Sequence, residues 1–168
     1  MCIRDSTIAD AVGKPDAGEA LVKRTQEQID QAKKQIAAWK PAKPMRVAFL
    51  YVRGNAGVFF ILGSENGASE LIQGVGADDV ASDKGITTLV PANAESLVSI
   101  NPDAIFVMRD GLASTGGMKG LLARAGVANT TAGRKQRVIS IPDGISLSFG
   151  PQTGEVLTAV AKALYGVK

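Results

Sequence analysis

Histidine is absent from this chain of 168 residues, and the single cysteine, Cys2, lies in the opening stretch MCIRDS. Without histidine, the chain alone cannot build a Ser-His-Asp triad or a histidine-rich metal site. The opening stretch shows neither a helical nor a strand period, and it lacks the pattern of a signal peptide. We therefore interpret residues 1–6 as a non-native start and place the natural N-terminus, with any export signal, upstream. No disulfide or thiolate chemistry is expected.

Long apolar runs and basic clusters are missing as well. No apolar run approaches the roughly 20 residues that a membrane-spanning helix needs. The net charge is +3, and the basic residues are spread along the chain rather than arranged in a stripe with aromatic side chains between them. We therefore expect no membrane span within this chain and no nucleic acid as a partner.

A long polar segment, residues 17–39, is predicted to form a helix with Asp16 as its cap. Its sparse apolar positions are typical of a helix that covers a surface or bridges two bodies. After it, short apolar segments alternate with helical patterns. This alternation predicts an α/β fold, a three-layer Rossmann-like lobe with a short, mainly parallel sheet covered on both faces.

The predicted strands cover residues 45–52, 103–108 and 136–141, and residues 58–62 form a second, shorter apolar run. The other predicted helices cover residues 7–12, 67–75, 91–100, 118–125 and 153–165.

The first predicted strand ends in the stretch YVRG, which places Tyr51 and Arg53 at its carboxyl end. In open α/β sheets, ligands bind outside the carboxyl ends of the strands. A phenolate is a hard anionic oxygen that suits Fe(III), and tyrosine is one of the few residues that bind haem iron. Residues two apart on a strand point to the same side, so Arg53 could hydrogen-bond the Tyr51 oxygen and favour its anion. The spacing alone favours a simpler arrangement, with Tyr51 packed at the rim of the lobe and Arg53 in solvent.

Other strand ends are expected to line the same edge. Met108 and Arg109 come at the end of one predicted strand, and residues 142–150, which include Phe149, follow another. A thioether and a phenyl ring could pack on a flat apolar ligand, and Arg109 could meet a ligand carboxylate. Each residue alone is best interpreted as an ordinary core or rim residue. Their common position at one edge of the sheet is what favours a binding site there.

Two further patterns favour ordinary structure over a binding site. The stretch GGMKG, residues 116–120, lacks the lysine–hydroxyl pair of a phosphate-binding loop, so we interpret it as a flexible loop. The neighbouring carboxylates Asp78 and Asp79 are interpreted as part of a solvated loop rather than a metal site.

Four stretches together resemble a known family: YVRG, NPDAIFVMRDGL, GGMKGLLARAGVANTTAGRKQRVISIPD and FGPQTGEVLTAVAKALYG. They resemble the C-terminal lobe of bacterial haem-binding proteins of the HmuT type, the extracytoplasmic substrate-binding components of haem ABC importers. The resemblance implies two Rossmann-like lobes joined by a rigid helix, with haem held in the cleft. Residues 7–44 would form the end of an N-terminal lobe and the interdomain helix, and residues 45–168 the C-terminal lobe.

The resemblance also implies roles for residues of the proposed edge. Tyr51 would be the axial ligand of the haem iron, supported by Arg53, with Gly54 letting the backbone turn away. Met108 and Arg109 would line the haem pocket. The histidine that the other lobe typically supplies would lie upstream of this chain, which is therefore expected to bind haem weakly by itself.

A transport role implies a second partner, the permease of the ABC transporter. Proteins of this class dock on their permease through surface carboxylates, and Glu70 is a candidate for that contact. Gln152 departs from the commoner ending GPRTG, which puts in doubt any role of this position toward the haem propionates or in docking. The resemblance implies an extracytoplasmic location, in the periplasm or lipid-anchored at the cell surface.

Two alternative functions remain open. A ferric siderophore or cobalamin would need no iron ligand from the protein, so Tyr51 would then be dispensable. A stand-alone Rossmann-like enzyme would need a catalytic constellation at the strand ends, where the chain offers no histidine, no cysteine and no nucleotide fingerprint. We therefore expect a binding protein rather than an enzyme.

Overall fold

The computed structural model describes residues 2–54 and 57–167. Two helices lead into the lobe, α1 (Cys2–Ala11) and α2 (Pro15–Trp39). The predicted start of the first helix, at residue 7, is wrong, because α1 begins at Cys2. The predicted cap is also wrong: Lys14 is the N-cap of α2 and Pro15 occupies the first helical turn, where its missing N–H costs nothing. Asp16 lies in that first turn, where its charge favours the positive end of the helix dipole.

Helix α2 buries one narrow side and exposes the rest. Its 25 residues extend over about 37 Å. The buried residues Thr25, Ile29, Ala32 and Ile36 recur at spacings of three and four, which keeps them on one face. This face packs along the last helix of the chain, α10 (Thr153–Tyr165). The polar remainder of α2 is exposed, as the sequence predicted for a helix of this composition.

The middle layer is a sheet whose strands are β1 (Arg46–Arg53), β2 (Val58–Ile61), β3 (Asp78–Asp79), β4 (Val90–Pro91), β5 (Ala104–Met108) and β6 (Val138–Ile141). The strand order is β4–β2–β1–β5–β6, and β3 pairs with the start of β1. Strand β1 is parallel to β3 and β5, and β5 is parallel to β6. Strand β2 is antiparallel to both β1 and β4. The predicted mainly parallel sheet is therefore confirmed, with an antiparallel extension at one edge.

The remaining helices are α3 (Ala68–Gly74), α4 (Val80–Asp83), α5 (Ala94–Ile100), α6 (Arg109–Ser114), α7 (Gly117–Leu122), α8 (Thr131–Arg134) and α9 (Asp143–Ser146).

The sheet separates two hydrophobic cores, because side chains alternate between its faces. Phe49 and Phe106 face the first core, under α2, α3 and α10, with ring centroids 6.4 Å apart in an edge-to-face arrangement. Leu50 and Ile105, their chain neighbours, face the second core, under α5, α7 and α8. Full burial of each of these large side chains contributes about 1.5–3 kcal/mol relative to exposure. The predicted three-layer α/β lobe is confirmed.

Two short patterns have more structure than the sequence indicated. In GGMKG, Gly116 is the N-cap of α7 in the left-handed conformation, at a φ of 87°, and Gly117 and Gly120 lie within the helix. Asp79 is buried rather than solvated: it accepts hydrogen bonds from the Ser69 hydroxyl and from the backbone N–H of Ala81, which caps α4.

Within residues 2–54 and 57–167, no group of three histidine, cysteine or carboxylate residues is arranged to hold a metal ion. Over the same residues, no helix combines the length and the apolar composition needed to cross a membrane.

Candidate functional site

The carboxyl ends of β1, β5 and β6 meet at one edge of the sheet, and the candidate site is built there. The register pairs Leu50 with Val107 and Met108 with Ile141, so Tyr51 and Met108 end neighbouring strands side by side. Both side chains are half-buried and pack against the first core. The sheet therefore places a phenol oxygen and a thioether sulfur at the same edge, as predicted from the strand ends.

Arg53 lies on the same face as Tyr51 because β1 stays extended as far as Arg53. The guanidinium carbon of Arg53 lies 4.9 Å from the centroid of the Tyr51 ring, which is a cation–π contact. Its Nη2 donates to the sulfur of Met108 at 3.7 Å. The guanidinium thus touches both side chains that the strand ends contribute.

Asp143 is one of two residues of this site that the sequence analysis did not single out. Its Oδ1 accepts a hydrogen bond from Arg53 Nη1 at 3.1 Å, and the two charges form a salt bridge. Its Oδ2 accepts from the backbone N–H of Asp110, at the start of α6, at 2.9 Å. The sequence analysis assigned residues 142–150 to this edge, and Asp143 lies in that segment, two residues beyond β6.

The charge of Arg53 is secured by its neighbours. Burial lowers the pKa of the guanidinium, but the hydrogen bond to Asp143 raises it, and weaker interactions with the Tyr51 oxygen raise it further. The net result is a pKa above the usual arginine value. Arginine stays protonated in proteins, and here the cation of Arg53 is held between a carboxylate and an aromatic ring.

The chain leaves β1 through Gly54, whose φ of 33° lies in the left-handed region that glycine tolerates best. The Gly54 N–H donates to the Ser114 hydroxyl at 2.7 Å, and its carbonyl accepts from Arg124 Nη2 at 2.6 Å. Helix α6 approaches equally closely, since a Cβ on Gly111 would lie 2.6 Å from the carbonyl oxygen of Val52. These contacts fix the exit of β1, and with it the position of the residues just before the turn.

An aromatic residue that the sequence analysis left out flanks Tyr51 on its other side. Phe60 of β2 is paired with Tyr51 in the antiparallel register, so both side chains project from the same face. Phe60 is half-buried. Across the sheet edge the order is therefore Phe60, Tyr51 and Met108, with apolar side chains on both sides of the phenol.

The remaining predicted residues lie at two neighbouring pockets. Glu70 is exposed on α3 and lines a pocket of about 400 Å³ together with Gly67 and Phe149. Arg109 is exposed at the start of α6 and lines a pocket of about 210 Å³ along β6. Gln152 donates a hydrogen bond to the Ser148 hydroxyl at 3.2 Å, just before α10. These three residues are not among the contacts of the Tyr51–Arg53–Asp143 cluster described above.

Comparison with known proteins gives the class of this lobe. Residues 6–144 match the periplasmic binding protein family, so the chain belongs to that family. The structure is similar to the crystal structure of the heme binding protein HmuT, with a TM-score of 0.96 and 47% identity over 99% of this chain and 54% of that one. The similarity to HmuT-type proteins that the sequence motifs indicated is thereby confirmed.

Two further solved structures are similar to this chain. The periplasmic heme-binding protein RhuT from Roseiflexus sp. RS-1 in apo form matches with a TM-score of 0.92 and 33% identity, over 98% of this chain and 62% of that one. The periplasmic heme-binding protein BhuT in complex with two hemes matches with a TM-score of 0.87 and 30% identity, over 98% of this chain and 61% of that one. This chain thus spans little more than half the length of these relatives. A comparison with curated protein sequences finds no significant match.

Proposed function

We propose that this chain is the C-terminal lobe of an extracytoplasmic haem-binding protein that delivers ferric haem to an ABC importer, with Tyr51 as an axial ligand of the iron. One observation carries the proposal: Tyr51 and the cation of Arg53 lie together at the carboxyl end of β1, the side of an α/β sheet where ligands generally bind. The relatives at 47%, 33% and 30% identity, each named as heme-binding, support haem as the cargo.

The site suits ferric haem for chemical reasons. An ionised phenol is a hard oxygen donor, and Fe(III) is a hard acid that favours its deprotonation. Arg53 adds a second positive charge beside the same side chain, which stabilises the phenolate further. Phe60 and Met108 flank Tyr51 with apolar atoms that can pack on a porphyrin face. Tyr51, Phe60 and Met108 together fit a planar, apolar, iron-bearing ligand.

Capture and release require no covalent chemistry from the chain, so we propose a transport protein rather than an enzyme. The partner in release is the permease of the importer. Glu70 is proposed for that contact because its carboxylate is exposed on α3, a short helix that follows the hairpin of β1 and β2. Arg109 is proposed to contact the haem periphery, since it begins the helix that follows β5.

A hemin titration followed by visible absorption tests the iron ligand. Wild type is expected to shift the Soret band and to show a phenolate-to-iron charge-transfer band, and Tyr51→Phe is expected to lose that band with at least about tenfold weaker binding. The matched control is Tyr165→Phe, which removes the other tyrosine hydroxyl, bonded to the Val75 carbonyl at 2.7 Å. Tyr165→Phe should give the wild-type spectrum. Identical spectra and affinities for wild type and Tyr51→Phe would contradict the proposal and favour a siderophore or cobalamin as cargo.

A further inference from the structure

Arg53 is held by contacts with three side chains. Its Nη1 donates to Asp143 at 3.1 Å, its Nη2 donates to the Met108 sulfur at 3.7 Å, and its guanidinium carbon lies 4.9 Å from the Tyr51 ring centroid. An arginine side chain has several freely rotating bonds, and ordering it costs conformational entropy. The contacts to Asp143, Met108 and Tyr51 offset part of that cost.

Asp143 can hold Arg53 because it is itself anchored. Its second carboxylate oxygen accepts from the backbone N–H of Asp110 at 2.9 Å, which ties the carboxylate to the start of α6. Only 23% of the Asp143 side chain and 37% of the Arg53 side chain are exposed, so the pair is partly shielded from solvent. A charge-assisted hydrogen bond in such a setting is stronger than one on an open surface.

We propose that Asp143 is a positioning residue for the iron ligand: it holds Arg53 beside Tyr51 so that the phenolate meets a fixed cation when ferric haem arrives. This inference rests on the proposed function, since it assigns Asp143 a role only through Tyr51 and Arg53. Asp143 does not touch the iron. Its effect reaches the ligand through the position of one guanidinium group.

Asp143 is expected to affect the binding affinity only of a porphyrin that carries iron. Without Asp143, Arg53 can extend into solvent, and the phenolate loses part of its electrostatic support. Hemin needs that support because its Fe(III) binds the phenolate, whereas iron-free protoporphyrin IX has the same ring and propionates but forms no bond to the phenolate. A residue that only shapes the pocket would affect both ligands alike.

The test compares hemin and protoporphyrin IX binding to wild type, Asp143→Asn, Arg53→Ala and the double variant. We expect Asp143→Asn to weaken hemin binding by about tenfold and protoporphyrin IX binding by less than about twofold. Because Asp143 acts through Arg53, the double variant should bind hemin no more weakly than Arg53→Ala alone. The hemin charge-transfer band should shift in Asp143→Asn and be the same in Arg53→Ala and the double variant.

The control is Asp83→Asn, which removes the same charge from an exposed side chain on α4 and should bind both ligands as wild type does. Thermal unfolding of each ligand-free variant verifies that it is folded.

Equal losses of affinity for hemin and protoporphyrin IX, additive losses in the double variant, or tighter hemin binding by Asp143→Asn would each overturn the inference. If Tyr51→Phe weakens hemin binding and Asp143→Asn does not, the inference fails while the proposed function stands. If Tyr51→Phe has no effect, the proposed function fails first.

Discussion

The guanidinium of Arg53 lies over the ring of Tyr51, with its carbon 4.9 Å from the ring centroid, at the end of one buried strand. Because Tyr51 and Arg53 are two residues apart on an extended strand, their side chains lie on the same face of the sheet. Asp143, contributed after β6, then keeps the guanidinium from turning into solvent. The proposed ligand and its cation therefore come from one local sequence feature, and the restraint on the cation comes from the tertiary structure.

Replacement of Arg53 by lysine should weaken hemin binding even though the charge is kept. A lysine ammonium is a point charge and cannot stack on Tyr51 while donating to Asp143 in the planar geometry of a guanidinium. We expect a loss of about three- to tenfold in affinity, measured by hemin titration. The control is Arg134→Lys, an exposed arginine on α8 whose replacement should leave the affinity unchanged. Equal affinities for Arg53→Lys and wild type would show that charge alone matters.

Gly111→Ala should destabilise the lobe by about 1–3 kcal/mol, because the added methyl group overpacks a tight contact. Its Cβ would lie 2.6 Å from the Val52 carbonyl oxygen and 3.4 Å from Arg53 Nη1. Urea unfolding of the ligand-free chain measures the change. Gly144→Ala is the matched control, since no neighbouring atom lies within 4 Å of its added Cβ. If both variants unfold at the same urea concentration as wild type, the close approach of α6 to the end of β1 is refuted.

Tyr165 should make the stability of the lobe depend on pH in alkaline solution. Burial raises the pKa of the Tyr165 phenol above its usual value, and the charge of Asp78 raises it further. The folded state thus holds this proton more tightly than the unfolded state, so the contribution is complete below about pH 10 and is lost as the pH rises through the folded-state pKa. Wild type should therefore lose stability more steeply than Tyr165→Phe above about pH 10 in urea unfolding. Parallel stability curves for the two proteins would contradict this.

The same substitution should cost stability at neutral pH. The Tyr165 hydroxyl donates to the Val75 carbonyl at 2.7 Å, and its removal leaves that oxygen without this bond. The expected loss is about 0.5–1.5 kcal/mol in the free energy of unfolding at pH 7, measured by urea denaturation. Hemin binding by Tyr165→Phe should remain unchanged, which separates this structural tyrosine from Tyr51.

Regular periodicity made the long elements predictable. The final helix was predicted as residues 153–165 and spans Thr153–Tyr165, and the strand predicted at residues 103–108 spans Ala104–Met108. Strands β3 and β4 have two residues each, too few for a period to appear in the sequence. The antiparallel direction of β2 was missed, although only four residues connect β1 to β2 and a parallel pair needs a crossover of about a dozen or more residues.

The candidate site was predictable in part for the same reason. Tyr51 and Arg53 lie on one strand, so the two-residue period of a strand was enough to place them together. Asp143 is 90 residues away from Arg53 in the chain, and only the folded sheet brings the two strand ends together. Phe60 was missed because its pairing with Tyr51 depends on the register of a hairpin. Contacts between distant segments are set by tertiary packing and leave no local pattern.

Resonance Raman spectroscopy of the hemin complex, excited within the charge-transfer band, tests most directly whether Tyr51 binds the iron. The account predicts tyrosinate vibrations in wild type that shift when tyrosine is ring-deuterated, persist in Tyr165→Phe and disappear in Tyr51→Phe. A wild-type spectrum without tyrosinate bands, or one that survives unchanged in Tyr51→Phe, would contradict the assignment of Tyr51 as the iron ligand.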